Sequence, residues 1–143
     1  MSVVYLGLGS NLGMRRQHLR QAVSALTAIA GVRDLRLSRV IETAPVGGPQ
    51  QGDYLNAVVE LYCSFSAIEL LEHVQRIEQE GSRQRSGKNH PRTIDIDILL
   101  FGSEQHALPE LTIPHPRMLQ RSFVLEPLSE FLPEYSNYAA TKI

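Results

Sequence analysis

Two carboxylates, Asp95 and Asp97, interrupt an otherwise apolar, β-branched run from Arg92 to Phe101. Side chains alternate faces along a β-strand, so Asp95 and Asp97 should share one face with Thr93 and lie opposite the face of Ile94, Ile96, Ile98 and Leu100. Two acids whose Cα atoms are about 6.5 Å apart raise each other's pKa unless a cation lies between them. Oxygen ligands without cysteine favour Mg²⁺ or Mn²⁺ over zinc. The run therefore predicts a divalent-metal site.

A basic loop comes directly before this run. Arg83, Arg85, Lys88 and Arg92 lie in or beside a Gly-rich and polar connection, Gly81 to Pro91. Charged loops are usually only solvated surface, but two aspartates in a half-apolar strand carry a desolvation cost that something should offset. A metal next to a basic loop suits a polyphosphate, whose charge is then neutralised from both sides.

Other short motifs occur in a fixed order along the chain, from Tyr5 to about Pro133. They are Tyr5-Leu6-Gly7-Leu8-Gly9-Ser10-Asn11-Leu12-Gly13, Glu42-Thr43-Ala44-Pro45, Asp53-Tyr54-Leu55-Asn56-Ala57, Gln75-Arg76-Ile77-Glu78, Pro91 to Leu99, Thr112-Ile113-Pro114-His115-Pro116-Arg117 and Arg121-x-Phe123. Together these motifs resemble those of the 6-hydroxymethyl-7,8-dihydropterin pyrophosphokinase family of folate biosynthesis.

The resemblance implies transfer of the β,γ-pyrophosphoryl unit of ATP to the hydroxymethyl oxygen of the dihydropterin, which leaves AMP. Such a transfer depends on in-line placement and charge neutralisation more than on covalent participation by the protein. Asp95 and Asp97 would hold two Mg²⁺ ions, which would also activate the acceptor hydroxyl. Arg83 and Arg92 match the family's two catalytic-loop arginines, and Arg85 is a weaker candidate on the nucleotide side.

The remaining site residues also follow from the resemblance. On the nucleotide side it implies roles for Glu78, Thr112, His115 and Arg121, with the backbone of Ile98 reading the adenine edge. For the pterin it implies hydrogen bonds to Thr43, Asn56 and the backbone of Val46, with stacking between Tyr54 and Phe123. Stacking and a directional polar rim suit a flat heteroaromatic. From pattern alone, a turn residue between two prolines is an alternative interpretation of His115, and core residues are the favoured interpretation of the two aromatics.

Composition sets the wider limits. The 143 residues suit a single domain, 1–143, and a net charge of -1 argues against a general nucleic-acid or anionic-membrane surface. A single cysteine, Cys63, rules out an internal disulfide. The N-terminus shows neither a signal-peptide pattern nor a long apolar segment. We therefore expect a cytoplasmic monomer that acts on small molecules.

The hydrophobic periodicity orders the elements as strand, helix, strand, strand, helix, strand. The predicted elements are a strand from Val3 to Leu8, a helix with apolar residues from Leu19 to Ala30, strands at Leu35 to Glu42 and Tyr54 to Cys63, a helix opened by a Ser66-x-x-Glu69 capping box and ending near Gly81, and the aspartate strand. This is a ferredoxin-like βαββαβ core of the α+β class, with helices on an antiparallel sheet and a short C-terminal strand and helix extension.

Two other function classes compete with the pyrophosphokinase. A ferredoxin-like RNA-binding or regulatory module lacks the required strand aromatics and has no need of the two aspartates. A Mg²⁺-dependent nucleotide phosphohydrolase differs only in its products. Gly7-x-Gly9-x-x-x-Gly13 does not have dinucleotide-binding spacing, and a tight strand-to-helix turn is the better interpretation. No Walker A sequence is present.

Overall fold

The structure, a computed structural model, describes residues 1–11, 13–44, 53–83 and 93–136, without the side chains of residues 82 and 83. Its elements are β1 (Ser2–Ser10), α1 (Arg15–Thr27), β2 (Val32–Leu37), β3 (Ile41–Thr43), β4 (Tyr54–Cys63), α2 (Ala67–Arg83), β5 (Asp95–Phe101), β6 (His106–Leu108), β7 (Leu111–Ile113), a 3₁₀ turn (Met118–Gln120), α3 (Ser122–Leu128) and a second 3₁₀ turn (Pro133–Tyr135). Up to residue 136, the extension after β5 thus comprises a small hairpin, α3 and two 3₁₀ turns.

Strands β2, β4, β1 and β5 are neighbours in that order in one antiparallel sheet, and β3 pairs with β4 beside β2. The two inner strands are therefore the first and third of the βαββαβ series, which is the ferredoxin-like arrangement. This confirms the predicted α+β class. β4 lies inside the sheet, and its residues from Leu55 to Leu61 are all buried.

Helices α1 and α2 cover one face of the sheet. Leu19, Ala22 and Leu26 of α1 and Leu70 and Val74 of α2 belong to one core cluster with the inward residues of the strands. The capping box that opens α2 is confirmed. The Glu69 N–H donates to Ser66 Oγ at 3.2 Å, and the Ser66 N–H donates to Glu69 Oε1 at 3.1 Å.

The opposite face is covered by the C-terminal extension. Tyr5 of β1, Val58 of β4 and Leu99 of β5 pack there in a second cluster with Met118, Val124 and Leu128. This cluster anchors the 3₁₀ turn and α3 beside the strand residues that carry the two aspartates. It therefore determines where the side chains of residues 117–124 lie relative to the sheet.

A β-bulge modifies the predicted alternation of β5. Tyr5 pairs with Leu100 but Leu6 pairs with Ile98, so Leu99 is the additional residue. The alternation from residue 94 to residue 98 is as predicted, but the prediction for Leu100 is wrong, because after the bulge it packs against the second cluster.

Thr93 also departs from its predicted face. It precedes β5, and its Oγ1 lies only 2.8 Å from where a Cβ on Gly81 of α2 would be. The Thr93 side chain therefore faces α2 and does not share the face of the aspartates.

The predicted strand from Leu35 to Glu42 is two strands. Between them Ser38 is buried, its N–H donates to the Val58 carbonyl at 2.9 Å, and its Oγ accepts the Val58 N–H at 2.8 Å. A side-chain hydroxyl thus replaces a backbone acceptor and ends β2. Sequence periodicity does not reveal such a substitution.

The glycine-rich N-terminal motif lies only in part in the predicted strand-to-helix turn. Only Gly13, with φ of 60°, lies in the connection between β1 and α1, whereas Gly7 and Gly9 lie within β1 itself. Helix α1 ends at Thr27, before the apolar residues Ile29 and Ala30. Within the described residues, no helix is long and apolar enough to span a membrane.

A buried polar network ties β1, β2 and β4 together beneath the second cluster. The Tyr5 hydroxyl donates to Glu60 Oε2 at 2.7 Å, and Arg36 donates two hydrogen bonds to Glu60 Oε1 at 3.1 and 2.6 Å. Burial alone would raise the pKa of Glu60, but the hydrogen bonds from Tyr5 and Arg36 hold it below its usual value. The Arg36 guanidinium also lies 5.4 Å from the ring centre of Phe131. The network therefore holds the C-terminal extension as well as the sheet.

We predict that Tyr5→Phe lowers the free energy of unfolding by about 1.5 to 3 kcal/mol at pH 7, because a hydrogen bond to a charged group is lost. The loss should shrink as the pH falls through the lowered pKa of Glu60, since the carboxylate form is the one stabilised in the folded state. Urea denaturation at several pH values measures both effects. Tyr62→Phe, at an exposed tyrosine of the same sheet, is the control and should change stability by less than about 0.5 kcal/mol. Equal effects of the two variants would contradict the prediction.

Candidate active site

The two aspartates lie opposite two glycines in the sheet. Asp95 pairs with Gly9 and Asp97 pairs with Gly7 across the β1–β5 ladder. Directly paired residues point to the same face, so the space beside each carboxylate holds no β1 side chain. Gly9 in turn pairs with Asn56 of β4, and a Cβ on Gly9 would lie 3.2 Å from Asn56 Oδ1. The glycines therefore form a floor without β1 side chains between the carboxylates and the amide, and the Leu99 side chain lies 3.5 Å from where a Cβ on Gly7 would be.

A cavity of about 550 Å³ lies over this floor. Strands β1, β3, β4 and β5 form its base, and the extension after residue 116 forms one wall. Its lining comprises Gly7, Leu8, Gly9, Thr43, Ala44, Tyr54, Asn56, Ala57, Asp95, Asp97, Arg117, Gln120, Arg121, Phe123 and Val124. Seven of the residues that the sequence suggested are thus brought together, namely Thr43, Tyr54, Asn56, Asp95, Asp97, Arg121 and Phe123.

Polar and aromatic groups are combined at the β4 side of the cavity. Asn56 is only 5% exposed, and its Nδ2 donates to Thr43 Oγ1 at 2.7 Å. This hydrogen bond fixes the amide so that Oδ1 is left as an acceptor. Tyr54, two residues earlier, lies on the same face of β4, and Phe123 of α3 lines the same cavity. A buried amide between two aromatic rings suits a flat ligand with a hydrogen-bonding edge.

Arg121 stands between the carboxylates and the aromatic wall. Its Nη1 lies 4.0 Å from Asp97 Oδ2, and its guanidinium lies 5.6 Å from the ring centre of Phe123. Arg121 directly follows the 3₁₀ turn that begins at the buried Met118, and its N–H donates to the Met118 carbonyl at 3.3 Å. Arg121 thus offsets part of the charge of Asp97.

His115 lies near this wall but outside the cavity lining. Its N–H donates to the Leu99 carbonyl at 3.0 Å, which the bulge makes available, and its Nδ1 accepts the Arg117 N–H at 3.2 Å. The neutral ring therefore carries its proton on Nε2. Burial lowers the pKa of His115; the charge of Asp97 raises it, and the charges of Arg121 and Arg117 lower it further. The net shift is downward, so His115 is a neutral donor at pH 7.

The outer edge of β5 carries two more of the suggested residues. Glu78 of α2 is buried, and its Oε2 accepts the Ile96 N–H at 2.9 Å. Backbone groups two residues apart in a strand point to the same side, so the N–H and C=O of Ile98 also face this outer edge. Sequence reasoning gave no sign that Glu78 binds the strand that holds the aspartates.

The other suggested residues do not reach the cavity or lie outside the described residues. Thr112 is exposed on β7, and its hydroxyl donates only a long hydrogen bond to the Leu108 carbonyl, at 3.4 Å. Val46, Arg85 and Arg92 and the side chain of Arg83 are not among the described residues.

Eight residues of the cavity lining were not predicted as site residues: Gly7, Leu8, Gly9, Ala44, Ala57, Arg117, Gln120 and Val124. The glycines had a signal, because two of them in a strand pattern indicate a close approach to the backbone.

The described residues contain no group of three or more His, Cys, Asp or Glu side chains placed to hold a metal. Asp95 and Asp97 supply two oxygen ligands on one face, beside an open floor. Mg²⁺ commonly binds one or two protein carboxylates and takes its remaining ligands from water and phosphate oxygens. The donor set therefore fits Mg²⁺ bound together with a polyphosphate.

Comparisons with known proteins agree with this geometry. Residues 5–133 match the model of the family described as 7,8-dihydro-6-hydroxymethylpterin-pyrophosphokinase (HPPK). The 2-amino-4-hydroxy-6-hydroxymethyldihydropteridine pyrophosphokinase of Bacillus subtilis is 44% identical over 140 residues, which are 98% of this chain and 84% of that protein. The enzymes of the same name from Porphyromonas gingivalis and Pseudomonas aeruginosa are 46% and 37% identical, over 93% and 92% of this chain and 92% and 81% of their own lengths. This chain belongs to the 7,8-dihydro-6-hydroxymethylpterin-pyrophosphokinase family.

Proposed function

We propose that the protein carries out the reaction of its family in the 550 Å³ cavity, as a single domain and a monomer. The reaction transfers the diphosphate of ATP to the hydroxymethyl group of 6-hydroxymethyl-7,8-dihydropterin. The oxygen of that group forms a bond to the β-phosphorus, the bond from the β-phosphorus to the bridging oxygen breaks, AMP leaves with that oxygen, and the hydroxyl proton is released to solvent. One observation carries the proposal: a metal-type carboxylate pair and a stacking pocket share one cavity.

The pterin would lie over the β4 side of the floor. Tyr54 and Phe123 would stack on its two faces, while Asn56 Oδ1 would accept a hydrogen bond from its amino edge and Thr43 would fix the amide. The hydroxymethyl group would then point along the glycine floor toward Asp95 and Asp97. We also propose that the pterin forms a hydrogen bond with the backbone of Val46.

The polyphosphate would lie over Asp95 and Asp97, which would hold two Mg²⁺ ions. Bound there, Mg²⁺ neutralises phosphate charge and lowers the pKa of the acceptor hydroxyl. Arg121 would donate hydrogen bonds to the polyphosphate from the α3 side. Its contact with Asp97 orients the guanidinium toward the carboxylate pair. Arg83 and Arg92 are proposed to hold the transferred phosphates from the loop side.

The adenosine would bind along the outer edge of β5. There the backbone N–H and C=O of Ile98 face away from β1, and His115 can donate from Nε2. Glu78 would act by holding the Ile96 N–H and thereby the strand. We propose supporting contacts from Arg85 and Thr112. In this arrangement the nucleotide and the pterin approach the carboxylate pair from opposite sides of β5, as an in-line transfer requires.

With Mg²⁺, ATP and 6-hydroxymethyl-7,8-dihydropterin, the purified protein should form AMP and the pterin diphosphate in equal amounts. Quantitative chromatography of both products measures the ratio. Formation of ADP and phosphate, or AMP formation that does not depend on the pterin, would support a phosphohydrolase and contradict the proposal.

We predict that Asp95→Asn and Asp97→Asn each lower kcat by at least about 100-fold at saturating Mg²⁺, because the carboxylate that neutralises phosphate charge is lost. Folding should persist, since the change removes like-charge repulsion. Asp34→Asn is the matched control, because Asp34 is exposed, has φ of 53° and is readily replaced by asparagine in that conformation. Near-normal turnover of Asp95→Asn or Asp97→Asn would contradict the proposal that these residues hold Mg²⁺.

We predict that Asn56→Ala and Phe123→Leu weaken pterin binding by at least about 10-fold while ATP affinity changes little, because each loses a contact with the pterin only. Fluorescence titration of the pterin with nucleotide at saturation measures the effect. Phe65→Leu, at a phenylalanine that contacts His73 outside the cavity, is the control. Unchanged pterin affinity in both cavity variants would show that the pocket is misplaced.

A further inference from the structure

Arg117 has a position in the cavity that the resemblance did not single out. It precedes the 3₁₀ turn Met118–Gln120 and lines the cavity together with Asp95, Asp97 and Arg121. Its backbone is fixed on both sides: its N–H donates to His115 Nδ1 at 3.2 Å, and its carbonyl accepts the Gln120 N–H at 3.0 Å. Met118, the next residue, is 2% exposed. The guanidinium is therefore carried by a well-anchored backbone.

The two cavity arginines on this wall differ in their partners. Arg121 faces Asp97 at 4.0 Å and packs over Phe123, whereas the Arg117 side chain forms neither an ion pair nor a hydrogen bond within the described part of the chain. An arginine offers five N–H donors in a planar fork that matches the oxygens of a phosphate group. An exposed guanidinium that has no partner among the described residues, in the same cavity as a carboxylate pair that fits Mg²⁺, is suited to an anion that arrives with the metal.

The position of Arg117 indicates which part of the substrates it meets. The groups proposed for adenosine, at Ile98 and His115, are absent from the cavity lining, whereas Arg117 lines the same cavity as Tyr54 and Asn56. It is thus on the acceptor side of the carboxylate pair. The only anionic group that occupies this side both before and after the reaction is the transferred diphosphate, first as part of ATP and then as part of the pterin product.

We propose that Arg117 binds the transferred diphosphate in both the substrate and the product, an inference that rests on the proposed function. The bond changes are those given above, and Arg117 neither gives nor takes a proton in them. It acts by holding nonbridging oxygens of the group while the β-phosphorus exchanges its bridging oxygen for that of the pterin.

The experiment compares ligands with and without the diphosphate, all in the presence of Mg²⁺. Isothermal titration calorimetry is carried out with α,β-methylene ATP, AMP, 6-hydroxymethyl-7,8-dihydropterin and its diphosphate ester. Arg117→Gln should lower the affinity for the methylene analogue and for the diphosphate ester by about 10-fold or more, since a charge-assisted hydrogen bond is lost. The affinities for AMP and the dihydropterin should not change. Arg117→Lys should recover part of the loss because the charge is retained. Arg20→Gln, at an exposed arginine of α1 outside the cavity, is the control.

Two results would overturn the role of Arg117. One is unchanged affinity of Arg117→Gln for both diphosphate ligands. The other is an equal loss of affinity for the diphosphate ester and for the dihydropterin, which would indicate a packing role. Failure of the proposed function gives a different result. In that case the unmodified protein would bind the methylene analogue without any dependence on Mg²⁺, or Asp97→Asn would bind it as tightly as the unmodified protein does.

Discussion

The register of β1 between β4 and β5 is the constraint on which the site depends. It sets Gly9 between Asp95 and Asn56, and Gly7 beside Asp97, in rows across the sheet. A slip of one residue would turn Leu6 and Leu8 toward the cavity and turn the glycines into the helical core. Burial of Leu6 and Leu8 against α1 and α2 opposes that slip, so the hydrophobic core of one face fixes the open floor of the other.

The electrostatics of the cavity are compatible with folding in the absence of a ligand. Asp95 is exposed, and the Asp97 side chain is 47% exposed with Arg121 at 4.0 Å. Repulsion between partly solvated carboxylates is weak, so a metal is not needed for the fold. The buried charge of Glu60 is handled differently, because Tyr5 and Arg36 satisfy it with three hydrogen bonds. The structural network is thus buried, whereas both aspartates remain in contact with solvent.

Much of the fold was readable from the sequence because local pattern and global fold agree there. The alternation of β4 and the apolar periodicity of α1 each indicate which face packs on the helical core, and the Ser66 capping box marks the start of α2. The order of elements then allowed few topologies. The wrong predictions of strand bounds and strand faces have a common cause. The hydroxyl of Ser38 in the ladder and the bulge at Leu99 are set by the partner strand, which periodicity in one segment does not contain.

The site was predictable to a similar degree. Asp95, Asp97, Tyr54 and Asn56 share faces that the period of two assigns, so their grouping follows from the strands that carry them. Arg117 and Gln120 escaped prediction because an irregular turn places them, and the anchor of that turn, Met118, contacts residues far away in sequence. The turn interpretation of Gly9 was wrong, because a glycine within a strand and one in a turn look alike until the neighbouring strands are known.

The central claim is that a divalent ion binds over the glycine floor at Asp95 and Asp97 when a polyphosphate is present. Mn²⁺ titrated into the ¹⁵N-labelled protein with α,β-methylene ATP tests it directly, because a paramagnetic ion broadens the amide signals near it. The account predicts selective broadening of Gly7, Gly9 and the first residues of β5, while Val32–Leu37 at the far edge of the sheet stays sharp. Broadening centred elsewhere, or none at all, would contradict it.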